Sequence, residues 1–224
     1  EEVILGCAEA CQAVRCALLG GETAEMPDVY LPGEFDLVGT IVGWAERDAL
    51  VDGRTVVPGD MCVGLASSGL HTNGYSLARK VLAGQPLDRP HSALGVPLGD
   101  ALLEPHRCYL GWLERIWAAG VQVKAMAHIT GGGLPDNLPR ALPAGVRAVI
   151  RKGSWPVPPL FRLIQEAGPV DEEEMYHVFN MGVGMVLVVP AEQAEGAVQA
   201  APGEAWVIGE IVLAREGEPA VHFT

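Results

Sequence analysis

The chain has 224 residues, of which 49% are hydrophobic and 19% charged, a balance typical of a globular protein with a large core rather than a disordered one. Its formal net charge of -13 disfavours a nucleic-acid binder, which needs a basic surface. No apolar run approaches the roughly 20 residues that span a bilayer, so no membrane partner is expected. The five cysteines form no C-x-x-C pair, which favours reduced thiols in a cytoplasmic protein over disulfides or a zinc site.

The first part of the chain is predicted to hold one helix and two strands. Apolar residues recur at helical spacing over residues 2–15, which predicts an amphipathic helix. Residues 17–19 form a short apolar run that ends at two glycines, and residues 35–44 alternate and are rich in β-formers, so both are predicted to be strands. The chain begins inside the helical pattern, and we therefore expect it to be the C-terminal part of a longer protein.

Two carboxylates follow the first predicted strand, in the stretch Glu22-Thr23-Ala24-Glu25-Met26-Pro27. Glu22 and Glu25 offer hard oxygen ligands of the kind that Mg²⁺ prefers. A solvated turn explains the same residues without any ligand, and the residues alone leave these two interpretations about even.

A connector with several turn signals, about residues 48–60, separates this part from a second one. The apolar strand expected at 61–66 runs into Ser67-Ser68-Gly69-Leu70-His71-Thr72-Asn73-Gly74-Tyr75-Ser76, a turn full of polar side chains that leads into a helix. Such a turn can bind phosphate or hydrogen-bond a polar heterocycle. Alternatively, Thr72 or Asn73 is the N-cap of the helix, which needs no ligand.

The rest of the chain mixes helices and strands, which favours an α/β or layered α+β domain. A helix is predicted over residues 102–119, with His106 and Cys108 on its wall. A G-x-G pattern at Gly182 and Gly184 precedes a strand, the reverse of the dinucleotide-binding order, so a Rossmann fold is rejected. The other predicted elements are strands at 121–126, 146–150, 186–189, 206–211 and 221–223 and helices at 135–140, 158–167, 171–176 and 191–200.

A strand-to-helix connection with three consecutive glycines lies near the middle of the chain, in residues 127–137. The glycines carry no Cβ atoms, so backbone N–H groups can approach a ligand closely, and a helix start beyond them adds a positive dipole end. These features predict a phosphate site. A tight connection without a ligand is the alternative, but the polar side chains of His128, Thr130, Asp136 and Asn137 crowd the same turn and favour a ligand.

Four stretches taken together resemble the phosphoribosylformylglycinamidine cyclo-ligase (AIR synthetase) family. The resemblance runs from about Glu2 to the C-terminus, and it is specific because four long motifs agree in their order and in their amino-acid sequences. The stretches are Gly20-Gly21-Glu22-Thr23-Ala24-Glu25-Met26-Pro27, Ser67-Ser68-Gly69-Leu70-His71-Thr72-Asn73-Gly74-Tyr75-Ser76, His128-Ile129-Thr130-Gly131-Gly132-Gly133 and Phe179-Asn180-Met181-Gly182-Val183-Gly184.

The resemblance implies a fold of two α/β domains and an activity in purine biosynthesis. Members of the family close the imidazole ring of aminoimidazole ribonucleotide from formylglycinamidine ribonucleotide with ATP and Mg²⁺, and they form homodimers through the first domain. Residues 1–47 would then be the end of the first, ATP-binding domain, 48–60 a linker and 61–224 the C-terminal domain. The Gly-rich and Asp-containing motifs that open the family's first domain are not found in this sequence.

The resemblance also implies a mechanism in which the protein supplies positioning rather than a nucleophile. The formyl amide oxygen attacks the γ-phosphate of ATP, an amidine nitrogen then closes the ring, and phosphate leaves. His71 and His128 are candidates for proton transfer or oxyanion stabilisation, since imidazole titrates near neutral pH. Glu22 and Thr23 are assigned to ATP, with Glu22 also as a magnesium ligand. The residues assigned to the ribonucleotide substrate are Ser68, Gly69, Thr72, Asn73, Thr130, Gly131, Gly132, Gly133, Asn180, Gly182 and Gly184.

Two other interpretations remain open. The related ATP-dependent phosphotransferases, which include selenophosphate synthetases, hydrogenase-maturation proteins and thiamine-phosphate kinases, tend to carry Asp where His128 stands. His128 and the His71 turn therefore favour the cyclo-ligase. The second alternative is a truncated, non-catalytic fragment that dimerises or binds a ligand. Measuring ADP release across candidate substrates would test the first alternative, and a calorimetric titration with ATP–Mg²⁺ would test the second.

Overall fold

The computed structural model of the protein describes residues 1–224, and the chain divides into two compact units. The smaller unit is residues 1–50 and the larger is residues 51–224. All five cysteines are free thiols. None of the helices is long and apolar enough to cross a membrane.

The smaller unit contains one α-helix, α1 (Glu2–Ala13), and a short 3₁₀ helix at Arg47–Ala49. The helix expected at residues 2–15 is confirmed. The strands expected at 17–19 and 35–44 are wrong, because neither stretch is in a strand. The side chains there are highly exposed, Leu19 to 95% and Val42 to 89%. β-prone residues form a strand only where a neighbouring strand takes their backbone hydrogen bonds, and these stretches pair with none.

The larger unit is built on one six-stranded sheet with the order β2-β4-β1-β5-β3-β6. Neighbouring strands are antiparallel except for β3 and β6, which run parallel. The first strand along the chain therefore lies inside the sheet, between the fourth and the fifth. The strands are β1 (Met61–Ala66), β2 (Ala125–His128), β3 (Val146–Ile150), β4 (Val183–Val189), β5 (Ala205–Leu213) and β6 (Val221–Phe223).

Side chains on successive residues of β1 point into two different cores. Cys62 packs with one hydrophobic cluster, whereas Val63 and Leu65 pack with another, and all three are fully buried. This follows from the two-residue repeat of a strand, which sends alternate side chains to opposite faces. Both faces of the inner strands are therefore covered by helices, as expected for an apolar run without the polar alternation of a half-exposed strand.

Helices form a layer on each face of the sheet. One face is covered by α5, α6 and α7, with Leu134, Phe161 and Met175 in the larger core, and the opposite face by α4 and α8. The helices of the larger unit are α2 (Tyr75–Val81), α3 (Leu98–Leu102), α4 (Leu110–Ala118), α5 (Gly133–Asn137), α6 (Pro159–Ala167), α7 (Glu172–Val178) and α8 (Ala194–Ala200), with 3₁₀ turns at Leu138–Ala141 and Ala191–Gln193.

The predicted layered α/β architecture is confirmed, and one predicted helix is wrong. The strands expected at 146–150 and 221–223 match β3 and β6 residue for residue. Residues 102–119 do not form one helix, because α3 ends at Leu102 and α4 begins only at Leu110. Pro105 lies in the loop between them, and a proline in a helix interior removes a hydrogen bond and clashes with the preceding turn.

A buried ion pair links the start of the sheet to the segment before β2. Nζ of Lys124 donates to Oδ1 of Asp60 at 2.6 Å, and the two side chains are 12% and 4% exposed. The other carboxylate oxygen of Asp60 accepts the backbone N–H of Val57 at 2.8 Å. Both oxygens of the buried carboxylate are thereby satisfied, as a buried charge requires.

Candidate functional site

The turn after β1 is folded around the imidazole of His71. The backbone N–H of Ser68 donates to Nε2 of His71 at 3.1 Å, and His71 itself is buried in the left-handed region, with φ of 58°. The N-cap prediction for Thr72 or Asn73 is wrong, because Gly74 precedes α2 with φ of 79° and no side chain caps the helix. The polar side chains of this turn are consequently free for other contacts.

Asn180 ties the His71 turn to the stretch that precedes β4. Its Nδ2 donates to the carbonyl of Gly69 at 2.8 Å, while its Oδ1 accepts the Ser67 hydroxyl at 2.9 Å and the Gly182 N–H at 2.8 Å. Asn180 is 4% exposed, so its amide is occupied by protein groups. Its contribution to a site is to hold two turns in register.

A third segment, the loop at residues 103–109, packs against the same turn and carries His106. The hydroxyl of Ser68 donates to the carbonyl of Pro105 at 2.6 Å, and Oγ1 of Thr72 lies 3.4 Å from Nδ1 of His106. His106 was not predicted as a site residue. It was assigned to the wall of a helix predicted over residues 102–119. Pro105 was the signal in the sequence that could have predicted a loop there instead.

Three imidazoles meet where these segments converge. The rings of His71 and His106 stack with centroids 4.0 Å apart, and Nε2 of His106 lies 3.0 Å from Nε2 of His128 at the end of β2. Tyr109 contacts the cluster edge-on and donates its hydroxyl to the carbonyl of Ala66 at 2.9 Å. The two predicted histidines are thus joined through a third.

The surroundings favour the uncharged form of all three rings. Burial, followed by the nearby His106, His128 and Arg107, lowers the pKa of His71 to about 3. Burial and the neighbouring His128 lower the pKa of His106, and burial lowers that of His128. Neutral imidazoles offer both a proton donor and a lone pair, so the cluster can relay a proton or bind a metal ion.

Two of the three glycines in the turn at residues 131–133 are required by contacts within the chain itself. Gly132 and Gly133 have φ of 92° and 58°. A Cβ atom on Gly133 would overlap the carbonyl oxygen of Tyr176, and one on Gly132 would lie 2.6 Å from Cβ of Asp136. Gly131 is different, since its Cβ would meet only Oδ1 of Asn73, at 3.4 Å.

The side chain of Asn137 fixes the backbone conformation of this turn. Its Nδ2 donates to the carbonyls of Gly133 at 2.8 Å and Gly131 at 3.1 Å, and its Oδ1 accepts the hydroxyl of Thr130 at 3.0 Å. The turn is therefore ordered by its own polar groups before any ligand arrives. It stands beside the His71 turn, because Asn73 faces Gly131.

A cavity of about 410 Å³ opens next to the His128 end of β2. Its polar lining comes from Asp52, His128, Thr130, Asn137 and Arg140. Arg140 was not predicted from the sequence. The lining thus includes an arginine, a threonine and a histidine, which together offer a cation and hydrogen-bond donors of the kind that bind an anionic group such as a phosphate.

Glycines elsewhere make room for the site residues. A Cβ atom on Gly184 would overlap the hydroxyl of Tyr109 and lie 2.5 Å from Cε1 of His71. One on Gly182, where φ is 98°, would lie 2.6 Å from the ring of Pro158. Gly184, within β4, therefore leaves room for Tyr109 and His71, and Gly182, just before β4, leaves room for Pro158.

The two residues assigned to ATP and metal lie in the smaller unit. Glu22 and Thr23 are exposed, in a segment without helix or strand, and neither side chain makes a hydrogen bond or ion pair. The one group of three or more histidine, cysteine or carboxylate side chains close enough to share an ion is the histidine cluster. Glu22 is thus not part of an assembled set of oxygen ligands in this chain.

The sequence of the chain matches one family of known proteins. The sequence model described as "AIR synthase related protein, C-terminal domain" matches residues 57–222. A protein of Anaeromyxobacter sp. (strain Fw109-5) named "Phosphoribosylformylglycinamidine cyclo-ligase" is 53% identical over 94% of this chain and 62% of its own length. A protein of the same name from Symbiobacterium thermophilum is 50% identical over 99% of the chain and 65% of its own length. The chain thus spans less than two thirds of these relatives.

Among solved structures, the Escherichia coli hydrogenase maturation protein HypE superimposes with a TM-score of 0.48 at 22% identity. The superposition covers 76% of this chain and 47% of HypE.

Proposed function

Because the chain belongs to the AIR synthase related protein family, we propose that it serves the cyclo-ligase reaction for which its relatives are named. The reaction is the ATP-dependent ring closure of formylglycinamidine ribonucleotide to aminoimidazole ribonucleotide in purine biosynthesis, with release of ADP and phosphate. Identity of 53% to a cyclo-ligase over 94% of the chain supports the proposal. We also propose, from the same likeness, a cytoplasmic homodimer.

The observation that carries the proposal is the position of His128. Its Nε2 lies 3.0 Å from Nε2 of His106, and the residue also lines the cavity whose lining includes Thr130 and Arg140. A phosphorylated substrate bound there would place its phosphate near the guanidinium of Arg140 and its reacting end near an imidazole. These groups would fix the substrate in one orientation, which is the main requirement of an intramolecular ring closure.

The proposed role of the imidazoles is proton transfer. Ring closure removes a proton from the attacking amidine nitrogen, and the uncharged His128 has a lone pair to accept it. His106 contacts His128 directly, Nε2 to Nε2 at 3.0 Å, and would take up the proton from it. ATP would supply the phosphoryl group that turns the formyl oxygen into a leaving group.

The proposed substrate residues divide into two kinds. We propose that Thr130, which lines the cavity, and the adjacent Gly131 face the substrate. The same role is proposed for Ser68, Thr72 and Asn73 in the His71 turn. The remaining assigned residues act by shaping the turns that carry the others. These are Gly69, Gly132, Gly133, Asn180, Gly182 and Gly184.

Glu22 and Thr23 are proposed to face ATP, with Glu22 as one ligand of Mg²⁺. Magnesium prefers an octahedral set of oxygen ligands, and the residues of this chain do not assemble such a set around Glu22.

Binding and turnover test the proposal separately. Calorimetric titration with formylglycinamidine ribonucleotide should show binding that weakens in Arg140→Ala, because the phosphate loses its guanidinium. ADP release should fall far more in His128→Ala than the free energy of unfolding does. His222→Ala is the matched control, since His222 is an exposed histidine on β6. Equal losses of turnover and stability in His128→Ala would make that histidine structural, and ADP release with another substrate would favour a different phosphotransferase.

A further inference from the structure

Three histidines from separate segments bring their ring nitrogens together within 4.8 Å. His71 comes from the turn after β1, His106 from the loop before α4, and His128 from the end of β2. Convergence of three imidazoles from distant parts of a chain is the arrangement by which proteins build sites for transition metals. We propose that His106, His128 and His71 form a binding site for a divalent transition-metal ion of the zinc type.

The distance between His106 and His128 fits such an ion closely. Zinc–nitrogen bonds of about 2.0–2.1 Å in a tetrahedral site place two nitrogen ligands roughly 3.3 Å apart. Nε2 of His106 and Nε2 of His128 are 3.0 Å apart, so an ion between them requires the rings to separate only slightly. These two nitrogens are the principal ligands.

His106 has the second contact that a metal-binding histidine needs. Its Nδ1 lies 3.4 Å from Oγ1 of Thr72, which can accept the ring proton. That contact leaves the lone pair on Nε2, facing His128. A partner on the far nitrogen fixes the tautomer and orientation of most histidine ligands.

His71 is the third ligand, and its buried ring lacks one partner. His71 is only 3% exposed, and its Nδ1 is buried without a hydrogen-bond partner. Its Nε2 accepts the Ser68 N–H. Coordination by either nitrogen requires the ring to turn out of its stack on His106 or to change tautomer, which releases the Ser68 contact. The affinity therefore depends less on His71 than on the other two.

The ligand atoms select the class of metal. All three are imidazole nitrogens, and no carboxylate or thiolate belongs to the group. Zn²⁺, Co²⁺, Ni²⁺ and Cu²⁺ accept such ligands, whereas Mg²⁺ and Ca²⁺ require oxygen. Three protein ligands also leave a fourth position open for water or a small ligand.

The test is titration of chelator-treated protein with Co²⁺, whose visible absorption is intense in a four-coordinate site and weak in an octahedral one. We expect one tightly bound, four-coordinate Co²⁺ per chain, displaced by Zn²⁺. His106→Ala and His128→Ala should each weaken binding by more than the roughly 10- to 100-fold loss typical of a missing second-shell partner. His222→Ala should bind as the unaltered protein does.

Thr72 provides a second, milder comparison. Thr72→Val should lower the affinity roughly 10- to 100-fold, and Thr72→Ser should restore it, because serine keeps the hydroxyl beside His106. Weak octahedral binding only, or equal affinity in His106→Ala and His222→Ala, would overturn the proposal. Neither nucleotide nor substrate is present in these titrations, so their outcome is separate from that of the ring-closure assay.

Discussion

Nε2 of His106 lies 3.0 Å from Nε2 of His128, so one of these neutral rings donates the proton that the other accepts. Protonating both rings would leave two N–H groups opposed at that distance and add repulsion between two positive charges. The contact between the loop at residues 103–109 and the end of β2 is therefore disfavoured once both rings carry a charge.

We expect the metal-free protein to lose stability as the pH falls below about 6.5. Burial lowers the pKa of His71 to about 3 and also lowers those of His106 and His128, whereas all three titrate near about 6.5 in the unfolded chain. The unfolded chain thus binds more protons in this range. The stabilisation is fully present above about pH 6.5 and is lost progressively towards the folded pKa values.

Urea unfolding in a chelating buffer between about pH 8 and pH 5 measures this effect. His106→Gln should give a flatter profile, since it removes one ring from the cluster, and His222→Ala should keep the slope of the unaltered protein. Parallel profiles for all three proteins would contradict a role of the cluster in the pH dependence.

Two substitutions in the three-glycine turn should behave differently. Gly133→Ala should destabilise the protein severely, because φ is 58° and the new Cβ would overlap the carbonyl oxygen of Tyr176. Gly131→Ala should fold, since its Cβ meets Asn73 at an ordinary distance of 3.4 Å. Thermal unfolding compares the two.

The same pair also tests ligand approach. If substrate contacts the backbone at Gly131, Gly131→Ala should weaken the binding of formylglycinamidine ribonucleotide while leaving the melting temperature nearly unchanged. Unaltered binding would show that the turn serves packing alone.

The ion pair between Lys124 and Asp60 should be important for stability. Asp60→Ala leaves the ammonium of Lys124 buried without its partner and is expected to cost about 3–5 kcal/mol. Asp88→Ala is the control, because the Asp88–Arg89 pair is exposed and is worth only about 0–1 kcal/mol. Equal free energies of unfolding for the two variants would rule out a structural role for the buried pair.

Asn180 should be required for the alignment of the two turns that it joins. Asn180→Ala leaves the Ser67 hydroxyl, the Gly69 carbonyl and the Gly182 N–H buried without their hydrogen-bond partner. We expect the free energy of unfolding to fall by about 2–4 kcal/mol. Asn180→Asp keeps an oxygen that accepts from Ser67 and Gly182. It should cost less than Asn180→Ala at a pH where the new carboxyl group is protonated and can still donate to the Gly69 carbonyl. Hydrogen exchange at the Gly182 amide would locate the loss, and unchanged protection would contradict the predicted role.

Strands β3 and β6 were predictable because their signal is local. They are short runs rich in β-branched or aromatic residues and bounded by turn residues, and their limits follow from the sequence alone. The strands expected at 17–19 and 35–44 carry the same kind of signal. They fail because pairing is not local, and no neighbouring strand takes their hydrogen bonds.

The candidate site was predictable in its motifs but not in its contacts. His71 and His128 stand in recognisable turns, whereas His106 was hidden in a helical pattern that Pro105 interrupts. The need for glycine at position 133 comes from Tyr176, which lies on α7, far along the chain. Such a requirement exists only once the fold has brought the two residues together.

The inner position of β1 has a consequence for how the chain is made. β1 is the first strand of this sheet along the chain, yet both of its partners, β4 and β5, lie more than a hundred residues further on. The backbone N–H and C=O groups along its two edges therefore lack their partners until β4 and β5 have been synthesised. Non-local pairing of this kind slows folding and exposes strand edges to other chains. The nascent protein therefore passes through a long interval in which a chaperone, or another unfinished copy, can compete for its central strand.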